Sequence, residues 1–324
     1  MPSRVLNSIF YLFLLFFIAC DPGEEPVPAH EGGMLKTISI DLGKDRDLQT
    51  FFDLGTESFV KTHDKYSWDF SLSCLEGVNE IYLNSSLFMK AQVLPQGFNH
   101  KPTIPDLDDL RADHHEWIPD SMSLGGLINS GQIAGVDMGT NADGSKRGFK
   151  KIEVNYNEST ETYTIRYSSL NGKKRDSISI KKDPLYNSIE FSLATNSIVY
   201  ATPPKDAYDF YLGQYTYQFY EPFTEYLVVG VILNPTMTVA ALDESRDFGQ
   251  ITRGDIDSYQ FSSRRDAIGH EWKAYNIDEG FYRIFPNINY IIKDHEGIYY
   301  KIHFLDYYNE QAVSGSPKFE VQRL

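Results

Sequence analysis

Thr37-Ile38-Ser39-Ile40 and Ser177-Ile178-Ser179-Ile180 open two stretches, 37–72 and 177–212, that align without a gap and close on Trp68-Asp69-Phe70 and Tyr208-Asp209-Phe210. Between those ends Phe51 meets Phe191, and Leu72 meets Leu212 just beyond them. The likeness continues at shifted spacing. Leu83-Asn84 answers Leu233-Asn234, His115-Glu116-Trp117 answers His270-Glu271-Trp272, and Tyr163-Thr164-Ile165-Arg166-Tyr167 answers Tyr300-Lys301-Ile302-His303-Phe304. Insertions collect in loops while strands keep their length, so ordered matches with drifting spacing predict a tandem duplication. One domain is expected over 34–175 and a related one over 176–324, with Trp68 and Tyr208 in equivalent core positions.

The period within these stretches is that of strands. Ile38, Ile40 and Leu42 alternate with polar neighbours, and Trp68, Phe70, Leu72 and Cys74 alternate with Ser67, Asp69, Ser71 and Ser73. Asp294-His295-Glu296-Gly297 reads as a hairpin turn between two strands, and 157–161 plays the same part in the first half. Helical periodicity is confined to single turns near 107–112 and 255–262. Many short strands with frequent turns predict an all-β chain of two related antiparallel β-sandwich-like domains.

The N-terminus carries its own signals. Arg4 precedes an apolar run from Ile9 to Ala19, too short to span a bilayer but of signal-peptide length. It ends on Phe17-Ile18-Ala19-Cys20, which resembles a bacterial lipobox, so 1–20 is expected to be a signal peptide ending at a lipidated Cys20. The acidic, proline-rich segment 21–33 reads as a solvated tether, and it resembles the surface-export signal of Bacteroidota lipoproteins. The expected location is the outer membrane, with the lipid as the only contact to it. With Cys20 lipidated, Cys74 has no disulfide partner and reads as a small buried hydrophobe.

A formal charge of −15 disfavours nucleic acid and anionic membrane surfaces as partners. The aromatic fraction of 14% suits strand faces and ligand grooves. Catalytic signatures are missing: Pro119 and Ala274 stand where a zinc-protease helix would carry its second histidine, and there is no nucleophile elbow, phosphate loop or zinc-spaced cysteine pair. A binding protein rather than an enzyme is expected. The irregular stretches 95–126 and 240–269 hold equivalent places in the two halves, and loops on a rigid β scaffold are where binding residues gather.

Three places resemble the HmuY-like haem-binding lipoproteins of Bacteroidota: the Ile-x-Ile start with Trp68-Asp69-Phe70, the strand opening at Trp272-Lys273-Ala274-Tyr275, and the C-terminal run from Tyr290-Ile291-Ile292-Lys293 through Lys301-Ile302-His303-Phe304 and Tyr307 to Phe319. The resemblance is closer in the second half than in the first. It implies an all-β protein that holds haem through axial His or Met side chains on loops, with haem as the small ligand and an outer-membrane receptor as a partner. One family ligand lies a few residues past the second Trp, where this chain has Asn276-Ile277-Asp278, none a donor suited to haem iron. The remaining candidates flank the two Trp motifs: Met122, His114, His115 and His270. The alternative is a non-enzymatic envelope module of the same fold that recognises a glycan or another envelope protein. An envelope hydrolase using clustered carboxylates trails both.

Overall fold

The computed structural model describes residues 32–118 and 121–324. The signal peptide and Cys20 lie outside the described residues, as does nearly all of the tether. Twenty strands, all paired antiparallel, account for the regular structure. In the first half these are β1 (Lys36–Ser39), β2 (Leu48–Asp53), β3 (Ser58–Asp64), β4 (Phe70–Ser73), β5 (Ile81–Leu83), β6 (Lys90–Leu94), β7 (Ile133–Asp137), β8 (Phe149–Asn157) and β9 (Thr162–Ser169). In the second they are β10 (Asp176–Lys181), β11 (Ser188–Ser192), β12 (Ser197–Val199), β13 (Phe210–Tyr220), β14 (Phe223–Leu233), β15 (Val239–Asp243), β16 (Lys273–Asn276), β17 (Phe281–Ile284), β18 (Asn289–Lys293), β19 (Tyr299–Tyr308) and β20 (Ser314–Arg323). Of the single turns read near 107–112 and 255–262, the second forms as a 3-10 segment at Arg253–Ser258, whereas 107–112 is not helical and the nearest 3-10 segment, Ile104–Asp106, ends before it. No helix among the described residues is long and apolar enough to cross a membrane.

Two five-stranded sheets have orders β10-β9-β8-β7-β6 and β1-β20-β19-β18-β15, and two four-stranded sheets have orders β12-β11-β4-β5 and β3-β2-β13-β14. Each five-stranded sheet packs on a four-stranded one. The first apolar core draws on residues 70–193, among them Phe70, Leu72, Ile152, Ile165, Ile180 and Phe191. The second draws on Ile40, Leu42, Phe52 and Leu54 together with residues from Phe210 to Val321. The two sandwiches therefore exchange their first three strands. The boundary expected at 175 does not part the sheets, because β10 pairs with β9 and β1 pairs with β20 across it. The physical reason lies in edge strands: β1–β3 and β10–β12 each complete a sheet whose remaining strands come from the other half, leaving fewer open ladders.

Within that exchange the two sandwiches repeat one another in detail. Phe70 pairs with Phe191 and stacks on it at 5.4 Å; Phe210 pairs with Phe52 and stacks at 5.3 Å. Phe52, not Phe51, is thus the counterpart of Phe191, because the chain from Ile38 to Phe52 is one residue longer than that from Ile178 to Phe191 and puts the gapless alignment out by one. Buried Asn84 and Asn234 donate alike to the carbonyls of residues 65 and 68, and of residues 205 and 208. The match of 163–167 with 300–304 does not hold, because the first lies on β9 and the second on β19. The structural counterpart of Lys301-Ile302 is Lys151-Ile152 on β8. Both lysines are buried and donate to loop carbonyls, Lys151 to those of Phe98 and His100 and Lys301 to those of Phe248 and Ile251.

Candidate functional site

The second half departs from the first in two places. β4 and β5 are short, whereas β13 and β14 run on together as a long ribbon from Phe210↔Leu233 to Tyr220↔Phe223. The hairpin β16–β17 has no counterpart in the first half among the described residues. Large apolar side chains are left exposed on both features: Phe219, Tyr220, Phe223 and Tyr226 on the ribbon, Tyr275, Ile277 and Phe281 on the hairpin. Between them lies a cavity of about 410 Å³ walled by Phe219, Tyr226, His270, Lys273, Tyr275 and Phe285. A second hollow of about 1000 Å³ shares Tyr226, Tyr275 and Tyr282 with it and reaches Arg46 and Tyr308. The first is lined mainly by apolar groups and the second is at least as polar as apolar; a mostly apolar hollow of several hundred Å³ with a few polar groups is typical of small-molecule sites.

Trp272 anchors the hairpin. It is fully buried, stacks on Phe304 at 3.9 Å, and donates from its indole N–H to the Gly269 carbonyl at 3.2 Å. Its own carbonyl accepts from Phe285 N–H at 3.0 Å, which closes the hairpin's base. Trp117 takes a different position, half-buried between Tyr82 and the Arg265 guanidinium, so the two His-Glu-Trp stretches are not equivalent in packing. Trp68 is likewise half-buried, beside a cavity of about 80 Å³ between the sandwiches, whereas Tyr208 is buried. β4 is covered on one face by its own core and on the other by the second sandwich, which explains why even Ser71 and Ser73 are buried.

Three of the four expected ligand residues converge on the ribbon. His270 sits against Tyr217 with ring centroids at 4.5 Å, and its Nδ1 lies 3.4 Å from Tyr215 Oη. His115 packs on the same Tyr217 ring at 4.2 Å, and His114 stacks on His115 at 4.5 Å. The loop carrying them is pinned to the ribbon by Ala112 N–H to Glu225, Gln218 Nε2 to the Asp113 carbonyl, and a Lys90–Glu225 ion pair. Met122 stands apart, lining a separate depression with Asn79, Glu80 and Leu124.

Only His270 combines a cavity wall with a spare nitrogen. Both His114 nitrogens are engaged: Nε2 meets Tyr220 Oη at 2.9 Å and Nδ1 accepts from Glu116 N–H at 3.2 Å. His115 is buried between Gln218 and Asp266. Among the described residues His270 Nε2 makes no hydrogen bond, and with Nδ1–H turned to Tyr215 its lone pair is available. Burial lowers the His270 pKa to about 4, with smaller electrostatic contributions from neighbouring Lys273 and His115 in the same direction. Tyr215, Tyr217 and Phe219 of β13 cover the ring and add no charge. The folded-state pKa lies below the unfolded value of about 6.5, so the neutral ring's contribution to stability is complete above that value and is lost as pH falls toward 4. A ligand held through this nitrogen is therefore expected to keep constant affinity from pH 8 down to about 5.5 and to weaken steeply toward pH 4, as read by titrations across that range. Constant affinity down to pH 3.5 would exclude His270 as the donor.

Two cations that the sequence reading passed over border the same cleft. Lys273 is buried, donates to the Val229 carbonyl at 2.5 Å, and has no carboxylate partner among the described residues. Burial pushes its pKa well down, and nearby Arg46 adds to that. Arg46 itself donates to Ser314 Oγ at 2.5 Å and pairs with no acid among the described residues. The only sequence signal for Lys273 was its place next to Trp272.

Among curated proteins none matches the chain. Of solved structures, apo PinO from Porphyromonas gingivitis is similar over 90% of this chain and 98% of its own, at 7% identity and a TM-score of 0.33. The apo HmuY analog from Tannerella forsythia is similar over 90% of this chain and 97% of its own, at 10% identity and a TM-score of 0.22. At these identities and scores neither likeness bears on the site. The model of the family described as HmuY protein matches residues 45–321, across both halves, and the chain belongs to the HmuY family.

Proposed function

We propose that the protein captures haem or a related porphyrin in the cleft between the β13–β14 ribbon and the β16–β17 hairpin, with His270 as an axial donor. The carrying observation is a neutral imidazole with a spare nitrogen on the wall of an aromatic cavity of about 410 Å³. The fit to haem has three parts. Imidazole nitrogen suits porphyrin iron. Phe219, Tyr226, Tyr275 and Phe285 offer faces to a flat ring. Lys273 and Arg46 offer positive charge to the two propionates, which the net charge of −15 elsewhere does not. The ribbon and the hairpin both belong to the second half, which supports a single ligand site per chain. Membership of a binding-protein family and the missing catalytic motifs support a role without catalysis.

The same proposal includes anchoring through lipid on Cys20 at the outer-membrane surface, with transfer to a membrane receptor as the next step. We also read the two halves as descendants of one duplicated ancestor, whose first three strands are exchanged. The test is a visible-absorption titration of the tag-free chain with haem. A Soret shift is expected, and His270→Ala is expected to weaken affinity at least ~10-fold, about 1.4 kcal/mol, while Met122→Ala leaves the spectrum unchanged. A wild-type chain that leaves the haem spectrum untouched would reject the reading. The aromatic rim would then serve another ligand, such as a glycan or an envelope protein.

A further inference from the structure

Beside the cleft, and not used by it, two loops from opposite halves bring His115, Glu116 and Asp266 together. Gln218 Oε1 accepts the backbone N–H of His115 at 3.2 Å and lies 2.7 Å from its Nδ1, while Gln218 Nε2 donates to the Asp113 carbonyl at 2.9 Å. Those bonds orient the amide, so the ring nitrogen facing its oxygen is the protonated one. The other nitrogen, Nε2, then turns a lone pair toward Asp266 Oδ2 at 3.4 Å, with both side chains 5% exposed. Two acceptors face each other where water is scarce. The remaining Asp266 oxygen, Oδ1, is buried and accepts no hydrogen bond; the Arg264 Nε nearest to it is at 3.6 Å. Glu116 completes the group, and the ligand atoms of all three residues lie within 4.8 Å of one another.

Buried acceptors without donors are costly, so a cation belongs between them. A proton would draw a charged N–H···O pair in to about 2.7–2.9 Å, closer than the observed gap. A tetrahedral ion holding nitrogen and oxygen ligands at about 2.0–2.1 Å keeps them roughly 3.3–3.4 Å apart. We infer that His115 Nε2, Asp266 and Glu116 bind one divalent transition ion of the zinc type, with water filling the fourth position. One imidazole and two carboxylates form a donor set that such ions accept. Arg264, which is 59% exposed and lies 2.9 Å from Glu116 Oε1, is the competing cation and must swing outward. A bound ion would clamp the loop carrying His114 and His115 to the loop that leads into His270. The other acid–histidine cluster, Asp53, Asp209 and His295, needs no ion. His295 lies against Asp209 at 3.2 Å with its pKa raised by that contact, and Arg147 neutralises the equivalent Asp69 at 2.7 Å.

The experiment is calorimetric titration of the tag-free, chelator-stripped chain with Zn²⁺, paired with the visible ligand-field spectrum after Co²⁺ loading. One ion per chain is expected, at a Kd of ~1 μM or tighter. Asp266→Asn and Glu116→Gln are each expected to weaken binding at least ~10-fold, and Arg264→Ala to tighten it, since it removes the competitor. Thermal unfolding of each metal-free variant checks the fold, and half-buried Glu116 carries the test should Asp266→Asn not fold. Wild-type binding no tighter than ~1 mM, or equal binding by wild type and Glu116→Gln, overturns the site. Haem titration of Glu116→Gln separates the two readings, because its Soret shift depends on His270 and not on the ion.

Discussion

A fragment spanning 65–205 is expected to fold by itself, and one spanning 34–175 is expected not to. The first contains β4 to β12 as one continuous run, with both sheets of the first sandwich and the whole of its apolar core. Its newly exposed face presents Ser71, Ser73, Ser188 and Glu190, polar side chains that tolerate water. The loop 111–118 would lose its ribbon contacts and loosen, but it contributes little to that core. The second fragment lacks β10, β11 and β12. It would expose Phe70, Leu72 and Ile165, and carry β1 without β20 and the β2–β3 hairpin without β13. Unpaired strand edges with apolar faces aggregate. Far-UV circular dichroism and urea unfolding of the two fragments provide the measurement. A cooperative transition from 34–175, or none from 65–205, would show that the strand exchange does not govern how the chain folds.

The alternation in 37–42 and 67–74 was enough to read antiparallel sheets from the sequence, because a strand with one buried face writes its period directly into the residues. The repeat was also legible, down to Leu83-Asn84 and Leu233-Asn234, whose asparagines make the same buried bonds. Strand partners were not legible. Nothing in Ile38 or Ile178 says whether its neighbour comes from the same half or the other, since both arrangements bury the same face. The offset of Phe52 hid in the same way, as one more residue between Ile38 and Phe52 than between Ile178 and Phe191 leaves the period of the strands unchanged. At the site, the histidines were visible as residue types beside two Trp motifs. Which of them faces a cavity depended on the ribbon, and β13's aromatic run of Tyr215, Tyr217 and Phe219 reads in sequence as ordinary strand. Met122 failed to join them because proximity to Trp117 along the chain did not become proximity to His270.

Replacing Trp272 by Ala is expected to cost about 3–5 kcal/mol, the range for a fully buried large aromatic. Trp68, another tryptophan of the repeat reading, is half-buried beside a small cavity and should cost less. At Trp272 the indole fills the space between Phe304 and Tyr307, lies under the Lys273 ammonium at 4.0 Å, and satisfies the Gly269 carbonyl. Removing it leaves a cavity, takes one of two donors from the Gly269 carbonyl, which keeps Val231 N–H, and strips a buried lysine of its aromatic face. The residue also links stability to function. Its carbonyl receives Phe285 N–H at the foot of the β16–β17 hairpin, so slack there spreads to Tyr275, Tyr282 and Phe285 on the cleft wall. Trp272→Ala should therefore lose ligand affinity even at temperatures where the chain remains folded, whereas Trp272→Phe should keep most of both. Paired urea-unfolding and haem titrations separate the two effects. A loss under ~1 kcal/mol with unchanged affinity would mean that the hairpin is positioned by something other than this side chain.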